Sequence, residues 1–149
     1  MISHIFSKRI LLFLILILSL SATLGSLYFS EIRYFIPCKL CWYQRIAMYP
    51  IVIISLMGVL FRKHPREAAI SLLPLAVIGI AISSFHVILQ YNLFNIDPSS
   101  CGDSLCVINY VNYLGFITIP IMSWSVFFLI IILSLSAVIK NRKVRFSPN

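Results

Sequence analysis

The sequence predicts an all-α membrane protein, a bundle of four transmembrane helices that forms a single domain over residues 1–149. Sixty per cent of the residues are hydrophobic, and the mean hydropathy is +1.00. Only 11% are charged, which is too few to cover the surface of a water-soluble domain of this length. The apolar residues are concentrated in four long runs, each close to the length that a helix needs to cross a bilayer.

The four predicted spans cover about residues 10–29, 42–61, 68–93 and 116–139. The first follows a short polar start, so a cleaved signal peptide is the alternative interpretation. Its apolar run continues past a weak cleavage site at residues 19–22 as far as Phe29, which favours a permanent span. The second reaches spanning length only if its helix begins near Cys41. Pro50 should loosen that helix, because proline has no N–H to donate to the carbonyl of Ile46.

The distribution of basic residues predicts the orientation of the spans. Nine of the twelve Lys and Arg residues lie at the N-terminus, in the turn at 62–67 and in the tail after residue 139. The loop at 30–41 carries three basic residues when Arg45 is counted with it, and the loop at 94–115 carries none. Basic residues stay on the cytoplasmic side, so both termini are predicted to be cytoplasmic and both loops extracytoplasmic. The same clustering argues against a nucleic-acid partner despite the net charge of +8.

All four cysteines lie in the two extracytoplasmic loops, Cys38 and Cys41 in the first and Cys101 and Cys106 in the second. The outer compartment permits disulfides. Three interpretations are open at this point: two structural disulfides in a non-enzymatic scaffold, a zinc site made of four thiolates, and a redox relay. An oxidising compartment disfavours four reduced thiolates, so no metal is predicted. A disulfide across a short Cys-x-x-Cys ring adds little stability, which weakens the structural interpretation.

The Cys38–Cys41 pair lies where the second span begins, and this position favours redox chemistry. Backbone N–H groups at a helix N-terminus stabilise a thiolate. Arg45 follows Cys41 by four residues, so the two should share a helix face, and the fixed positive charge of Arg45 also favours a thiolate. The alternative for Arg45 is that it extends to the lipid headgroups, as arginines near helix ends often do.

His86 is the other candidate site residue. It lies near the outer end of the third span, at a depth similar to that of Arg45. Two polar donors at one depth could bind the two carbonyl oxygens of a quinone ring, although a histidine buried against a neighbouring helix is the alternative. No cysteine lies inside a span or on the cytoplasmic side, and no haem or dinucleotide motif is present. By elimination, a lipid-soluble quinone is the economical electron acceptor.

Several segments resemble one known family. They are Gly-Ser-Leu-Tyr-Phe-Ser-Glu-Ile-Arg at 25–33, the stretch Phe-Ile-Pro-Cys-Lys-Leu-Cys-Trp-Tyr-Gln-Arg at 35–45, Met-Tyr-Pro at 48–50 and Gly-Phe-Ile-Thr-Ile-Pro at 115–120. Together they resemble the BdbC branch of the DsbB family, and the resemblance covers nearly the whole chain. It implies a four-helix thiol:quinone oxidoreductase. Such enzymes reoxidise an extracytoplasmic thioredoxin-like thiol-disulfide oxidase, of DsbA or BdbD type, and pass the electrons to membrane quinone.

The resemblance also implies a role for each residue at the start of the second span. Cys41 resembles the cysteine that reacts with quinone, and Cys38 resembles its resolving partner. Arg45 resembles the arginine of the quinone site. His86 resembles a histidine that lies near the quinone in the family.

The second cysteine pair is implied by the resemblance as well. Cys101 resembles the cysteine that forms a mixed disulfide with the partner protein, and Cys106 completes the pair. Only four residues separate the two, whereas the Gram-negative branch has a longer loop between its cysteines. The short loop suits the Gram-positive branch. The resemblance therefore implies a plasma-membrane enzyme that uses menaquinone.

Overall fold

The computed structural model describes residues 2–61, 65–92, 106 and 118–139. Within these ranges the chain is helical and contains no strand. The helices are α1 (Ile2–Leu27), a π-helical turn that continues it (Tyr28–Ile32), α2 (Lys39–Leu60), α3 (Pro65–Gln90) and α4 (Ile119–Ile139). All four long helices are long and apolar enough to cross a membrane. The predicted all-α four-helix fold class is therefore confirmed.

The helix ends follow from local chemistry. α2 begins at Lys39 because Cys38, in an extended conformation, accepts the backbone N–H of Cys41 on its side chain. α3 begins with Pro65, whose missing N–H costs nothing in a first helical turn. Just after α3, Asn92 adopts a positive φ of 49°. This left-handed conformation cannot continue a right-handed helix, and asparagine tolerates it better than most residues.

The four helices pack as a closed ring. Each helix contacts its neighbour in the sequence, and α4 returns to contact α1. The centre is filled by large apolar side chains from every helix, among them Leu12, Ile15, Ile51, Leu72 and Ile130. Because lipid is as apolar as these side chains, close van der Waals packing between helices stabilises the bundle.

Small residues allow the helices to approach closely. A Cβ on Gly58 of α2 would lie 2.9 Å from the Cβ of Ala68 and 3.1 Å from Cδ1 of Leu12, so α1, α2 and α3 meet at this glycine. A Cβ on Gly79 of α3 would overlap the ring of Phe127 on α4. Gly79 therefore makes room for the largest fully buried side chain of the bundle.

A second, smaller cluster lies at the end of the bundle where α2 begins and α3 ends. It contains Cys38, Leu40, Leu89 and Cys106, all buried, with Cys41 packed against them. This cluster brings cysteines from both cysteine-bearing segments to one end of the bundle.

Candidate active site

The Cys38–Cys41 pair is built on the first turn of α2. Its two Sγ atoms lie 3.0 Å apart as a dithiol. Sγ of Cys38 accepts the backbone N–H of Cys41 at 3.3 Å, so Cys38 is the sulfur at the positive end of the helix. The hydrogen bond from the Cys41 thiol lowers the pKa of Cys38 to about 4, opposed by burial and assisted by His86. In the reduced pair Cys38 is therefore the thiolate, and Cys41 is the thiol that donates to it.

His86 links this dithiol to the second cysteine-bearing segment. The imidazole is buried near the end of α3. Its Nε2 lies 3.2 Å from the carbonyl oxygen of Cys106 and 3.8 Å from Sγ of Cys38. One nitrogen atom thus contacts both the first cysteine pair and the backbone of Cys106.

A chain of hydrogen bonds orients the His86 ring. Oγ of Ser83 lies 2.9 Å from Oγ of Ser123, which donates to Oε1 of Gln44 at 2.9 Å. Because Oε1 of Gln44 accepts from Ser123, the amide nitrogen Nε2 of Gln44 points the other way, at Nδ1 of His86, 3.3 Å away. Since Nδ1 accepts this bond, the ring proton is on Nε2, which donates to the Cys106 carbonyl.

Arg45 is buried and faces α1. Its Nε donates to Oγ of Ser26 at 2.7 Å, and Nη2 donates to the Ser26 carbonyl at 2.7 Å. The guanidinium carbon lies 5.5 Å from the ring centroid of Trp42. Ser26 is near the end of α1, so these bonds fix the charge of Arg45 one helical turn below Cys41.

A cavity of about 210 Å³ adjoins most of these groups. Cys38, Cys41, Arg45 and His86 line it, together with residues of all four helices. Among the described residues the lining holds no Asp or Glu, so Arg45 gives the cavity a positive potential. Most of the remaining wall is apolar.

An aromatic pair forms part of the cavity wall. Phe29 in the π-helical turn and Phe35 in the following loop stack with ring centroids 6.0 Å apart and planes 6° from parallel. The Phe35 N–H also donates to the Phe29 carbonyl at 3.0 Å, which holds the loop against the turn. Both rings line the cavity.

The structure brings together five of the six residues singled out in the sequence. Cys38, Cys41, Arg45 and His86 share the cavity, and Cys106 is buried against Cys38 and disulfide-bonded. Cys101 lies outside the described residues, so its role and its pairing with Cys106 stay predictions.

Sequence reasoning missed three polar residues that support this site: Ser26, Gln44 and Ser123. A signal for two of them was present. Gln44 and Ser123 are polar side chains inside spans, and such residues usually face the interior of a bundle. Ser26 also lies inside a predicted span, but it is one of several serines there and nothing in the sequence pairs it with Arg45.

The fold and site define a class: multi-pass membrane proteins with a partly buried dithiol at one end of a four-helix bundle. The model of the family "Disulfide bond formation protein DsbB" matches residues 8–139, and the chain belongs to this family.

Relatives from Bacillus subtilis and Halalkalibacterium halodurans agree with this. The chain is 47% identical to "Disulfide bond formation protein C" of Bacillus subtilis (strain 168), over 78% of this chain and 83% of the relative. It is 45% identical to "Probable disulfide formation protein C" of Halalkalibacterium halodurans, over 78% and 85%. It is 41% identical to "SPbeta prophage-derived disulfide bond formation protein B" of Bacillus subtilis (strain 168), over 89% and 88%. No solved structure gives a significant match.

These relationships establish the general activity. The chain is a multi-pass cell-membrane protein of disulfide bond formation, and its family implies thiol oxidoreductase chemistry.

Proposed function

We propose that this protein is a protein-disulfide:quinone oxidoreductase. It reoxidises an extracytoplasmic thioredoxin-like thiol-disulfide oxidase, of DsbA or BdbD type, and passes the electrons to membrane quinone. The observation that carries the proposal is the single cavity that the Cys38–Cys41 dithiol shares with Arg45 and His86. A purely structural disulfide would require neither a cavity nor a buried cation beside it.

The cavity suits a quinone ring. The stacked rings of Phe29 and Phe35 offer a flat apolar wall, and aromatic faces attract another flat ring. Arg45 donates from Nε and Nη2 to Ser26. A guanidinium has five N–H groups, so others remain to donate to a carbonyl oxygen of the quinone. His86 lines the same cavity and would lie beside the quinone ring, with its two nitrogens already bonded to Gln44 and to the Cys106 carbonyl. The resemblance to the Gram-positive branch favours menaquinone.

The proposed relay moves two electrons and two protons through three exchanges. The dithiol of the partner attacks the Cys101–Cys106 disulfide, and the dithiol produced there attacks the Cys38–Cys41 disulfide through a mixed disulfide. The second exchange is supported by geometry, since Cys106 packs against Cys38 and its carbonyl accepts from His86. Quinone, when bound, accepts the two electrons and two protons.

Arg45 and Cys41 have separate tasks in the last step. Cys41 is half-buried on the cavity wall and gives up the electrons after its thiol proton passes to Cys38, whose Sγ lies 3.0 Å away. The guanidinium of Arg45 stabilises negative charge on the oxygen of the acceptor by a charge-assisted hydrogen bond. Ser26 holds that guanidinium in place, so no reorganisation is required as the charge develops.

The orientation matches this direction of electron flow. The basic residues at both termini and in the turn between α2 and α3 are predicted to be cytoplasmic. The dithiol end of the bundle then faces the extracytoplasmic partner. The four cysteines of this sequence all lie in the two segments predicted to be extracytoplasmic, so they offer no thiol relay to the cytoplasm.

The decisive experiment is stopped-flow absorbance on the purified protein in detergent. Oxidised protein with quinone is mixed with a reduced thioredoxin-like partner, and quinone absorbance is followed. The expected result is loss of quinone absorbance in wild type and in Ser125→Ala, an exposed position on α4, and none in Cys41→Ser. If no quinone is reduced and both disulfides stay inert to the partner, the protein is a membrane scaffold with structural disulfides.

A second experiment tests the order of the relay. Cys101→Ser should abolish turnover with the protein partner, while a small dithiol still reduces Cys38–Cys41 and drives quinone reduction. Full activity of Cys101→Ser with the partner would reject the proposed order.

A further inference from the structure

The ligand atoms of Cys38, Cys41 and His86 form a compact triangle. All three lie within 4.8 Å of one another, with the two Sγ atoms 3.0 Å apart and Nε2 of His86 3.8 Å from Sγ of Cys38. Zinc binds thiolate sulfur at about 2.3 Å and imidazole nitrogen at about 2.0–2.1 Å, so tetrahedral ligands lie roughly 3.5–3.8 Å apart. The sulfurs need to separate by less than about 1 Å to reach this spacing.

We propose that the reduced Cys38–Cys41 pair and His86 form a three-ligand site for a zinc-like divalent cation, and that an occupied site stops electron transfer to the acceptor. This ligand set differs from the four-thiolate site considered from the sequence, because it uses one cysteine pair and a histidine from α3. The inhibition rests on the proposed function; the binding does not.

The surroundings supply the rest of a metal site. Cys38 and His86 are buried, so their ligand atoms are already desolvated and held in place. Thiolate and imidazole ligands favour zinc, whereas magnesium and calcium favour oxygen ligands. The cavity adjoins all three residues and leaves space for a water molecule as the fourth ligand.

Gln44 can adjust the His86 ring to bind a cation. A metal on Nε2 replaces the bond from this nitrogen to the Cys106 carbonyl and requires the ring proton on Nδ1. A half-turn of the Gln44 amide presents Oε1 to that proton. The amide nitrogen of Gln44 then faces the Ser123 hydroxyl and donates to its oxygen. The Ser123 hydroxyl can turn its own proton to the Pro120 carbonyl, 3.3 Å away. A metal-bound histidine that donates its other N–H to such a partner is the usual arrangement.

The chemistry couples binding to the redox state. When the cation binds, the two thiols form two metal–sulfur bonds and release any thiol protons to solvent, and no electron moves. The disulfide form has no thiolate and therefore should not bind. Thiolates held by the metal cannot attack an acceptor or a disulfide, so the reduced protein is trapped until the cation leaves.

Cobalt(II) is the probe for this site, because tetrahedral cobalt–thiolate centres absorb visible light. The Cys101→Ser/Cys106→Ser double variant removes the loop thiols. It is purified in detergent, reduced with a phosphine, and freed of reductant and quinone without oxygen. Titration with cobalt should give sulfur-to-cobalt charge-transfer bands that saturate at one cobalt per chain and are lost when zinc is added. The otherwise unmodified protein should give the same bands.

Variants in the double-variant background assign the ligands. Cys38→Ser and His86→Asn should each lose the tetrahedral spectrum. Gln44→Leu should keep it with an affinity about 10- to 100-fold weaker, as for other residues that support a metal ligand. His4→Asn, near the start of α1 and far along the helix from the cavity, is the matched histidine control and should bind as the parent does.

The outcomes separate this inference from the proposed function. No cobalt–thiolate band, a band that persists in Cys38→Ser, or equal binding to the disulfide form would overturn the metal site, whether or not quinone is reduced. If the protein binds cobalt but, free of metal, reduces no quinone with its thioredoxin-like partner, the metal site stands and the oxidoreductase is rejected. Zinc should also slow reoxidation of reduced wild type by quinone, with recovery after a chelator. An unchanged rate at saturating zinc would overturn the inhibition.

Discussion

The two ends of the bundle are held together by different interactions. Away from the cysteines, the interior is made of aliphatic side chains and small residues, as at Leu12, Ile51 and Gly58. At the cysteine end, directional hydrogen bonds join Gln44 and His86 across three helices. Polar groups at membrane depth are costly, and they are retained where they serve chemistry. One end therefore supplies a rigid frame and the other a positioned set of reactive atoms.

The largest expected effect concerns the ionisation of the reduced dithiol. The pKa of Cys38 is lowered from 9.0 to about 4, chiefly by the hydrogen bond from Cys41. The folded-state pKa is depressed, so this group stabilises the reduced fold fully above about pH 9, and that contribution is lost progressively as the pH falls toward about 4. Thiolate absorbance in the ultraviolet should therefore persist in the reduced protein at pH 6.

The control for this titration is Cys41→Ala, which removes the donor. Its remaining thiolate signal should disappear at a clearly higher pH than in the parent. Equal midpoints in the two proteins would show that Cys41 does not stabilise the Cys38 thiolate.

The next largest effect is expected from removing the buried guanidinium of Arg45 at the cysteine end. Arg45→Ala should raise the apparent quinone KM about 10- to 100-fold, the equivalent of one hydrogen bond to a charged group, with both disulfides still formed. Steady-state quinone kinetics measure this. Arg33→Ala, which removes an exposed arginine lying over Phe35, is the matched control and should leave KM near the parent value. Unchanged kinetics in Arg45→Ala would exclude Arg45 from the quinone site.

A third prediction tests the packed frame where it meets the cavity. Gly79→Ala should destabilise the protein by about 1–3 kcal/mol, because the new methyl group overlaps Phe127 and forces that ring to move. Gly25→Ala is the control, since a Cβ there has no neighbour within 4 Å. Thermal unfolding in detergent compares the two. Equal unfolding temperatures would mean that Phe127 is not confined by Gly79.

The smallest expected effect tests the hydrogen-bond chain. Ser123→Ala removes the donor to Gln44 and should lower stability by about 0.5–1.5 kcal/mol. Ser125→Ala, two residues along the same helix, removes only a bond to the carbonyl of Ile121 and should cost less. Unfolding of the two variants by denaturant measures the difference. A larger loss in Ser125→Ala would contradict a structural role for the chain.

Short-range features of the fold were accessible from the sequence. Apolar runs predicted four helices, because a bilayer demands a minimum helix length whatever the neighbours are. The position of Cys38 and Cys41 at the start of α2, and of Arg45 one turn later, depends only on local helix geometry. These residues were therefore placed correctly relative to one another before any tertiary contact was known.

Contacts between residues on different helices depend on how the helices pack against one another. Arg45 pairs with Ser26 across 19 residues, Gln44 with His86 across 42, and Ser123 with Gln44 across 79. Helices that are apolar on every side show no stripe that reveals which face turns inward. The number of spans, the local dithiol motif and the shared outer end of the two cysteine-bearing segments follow from the order of residues along the chain. Packing fixed the rotation and depth of each helix, and this brings His86 into contact with both Cys38 and the Cys106 carbonyl.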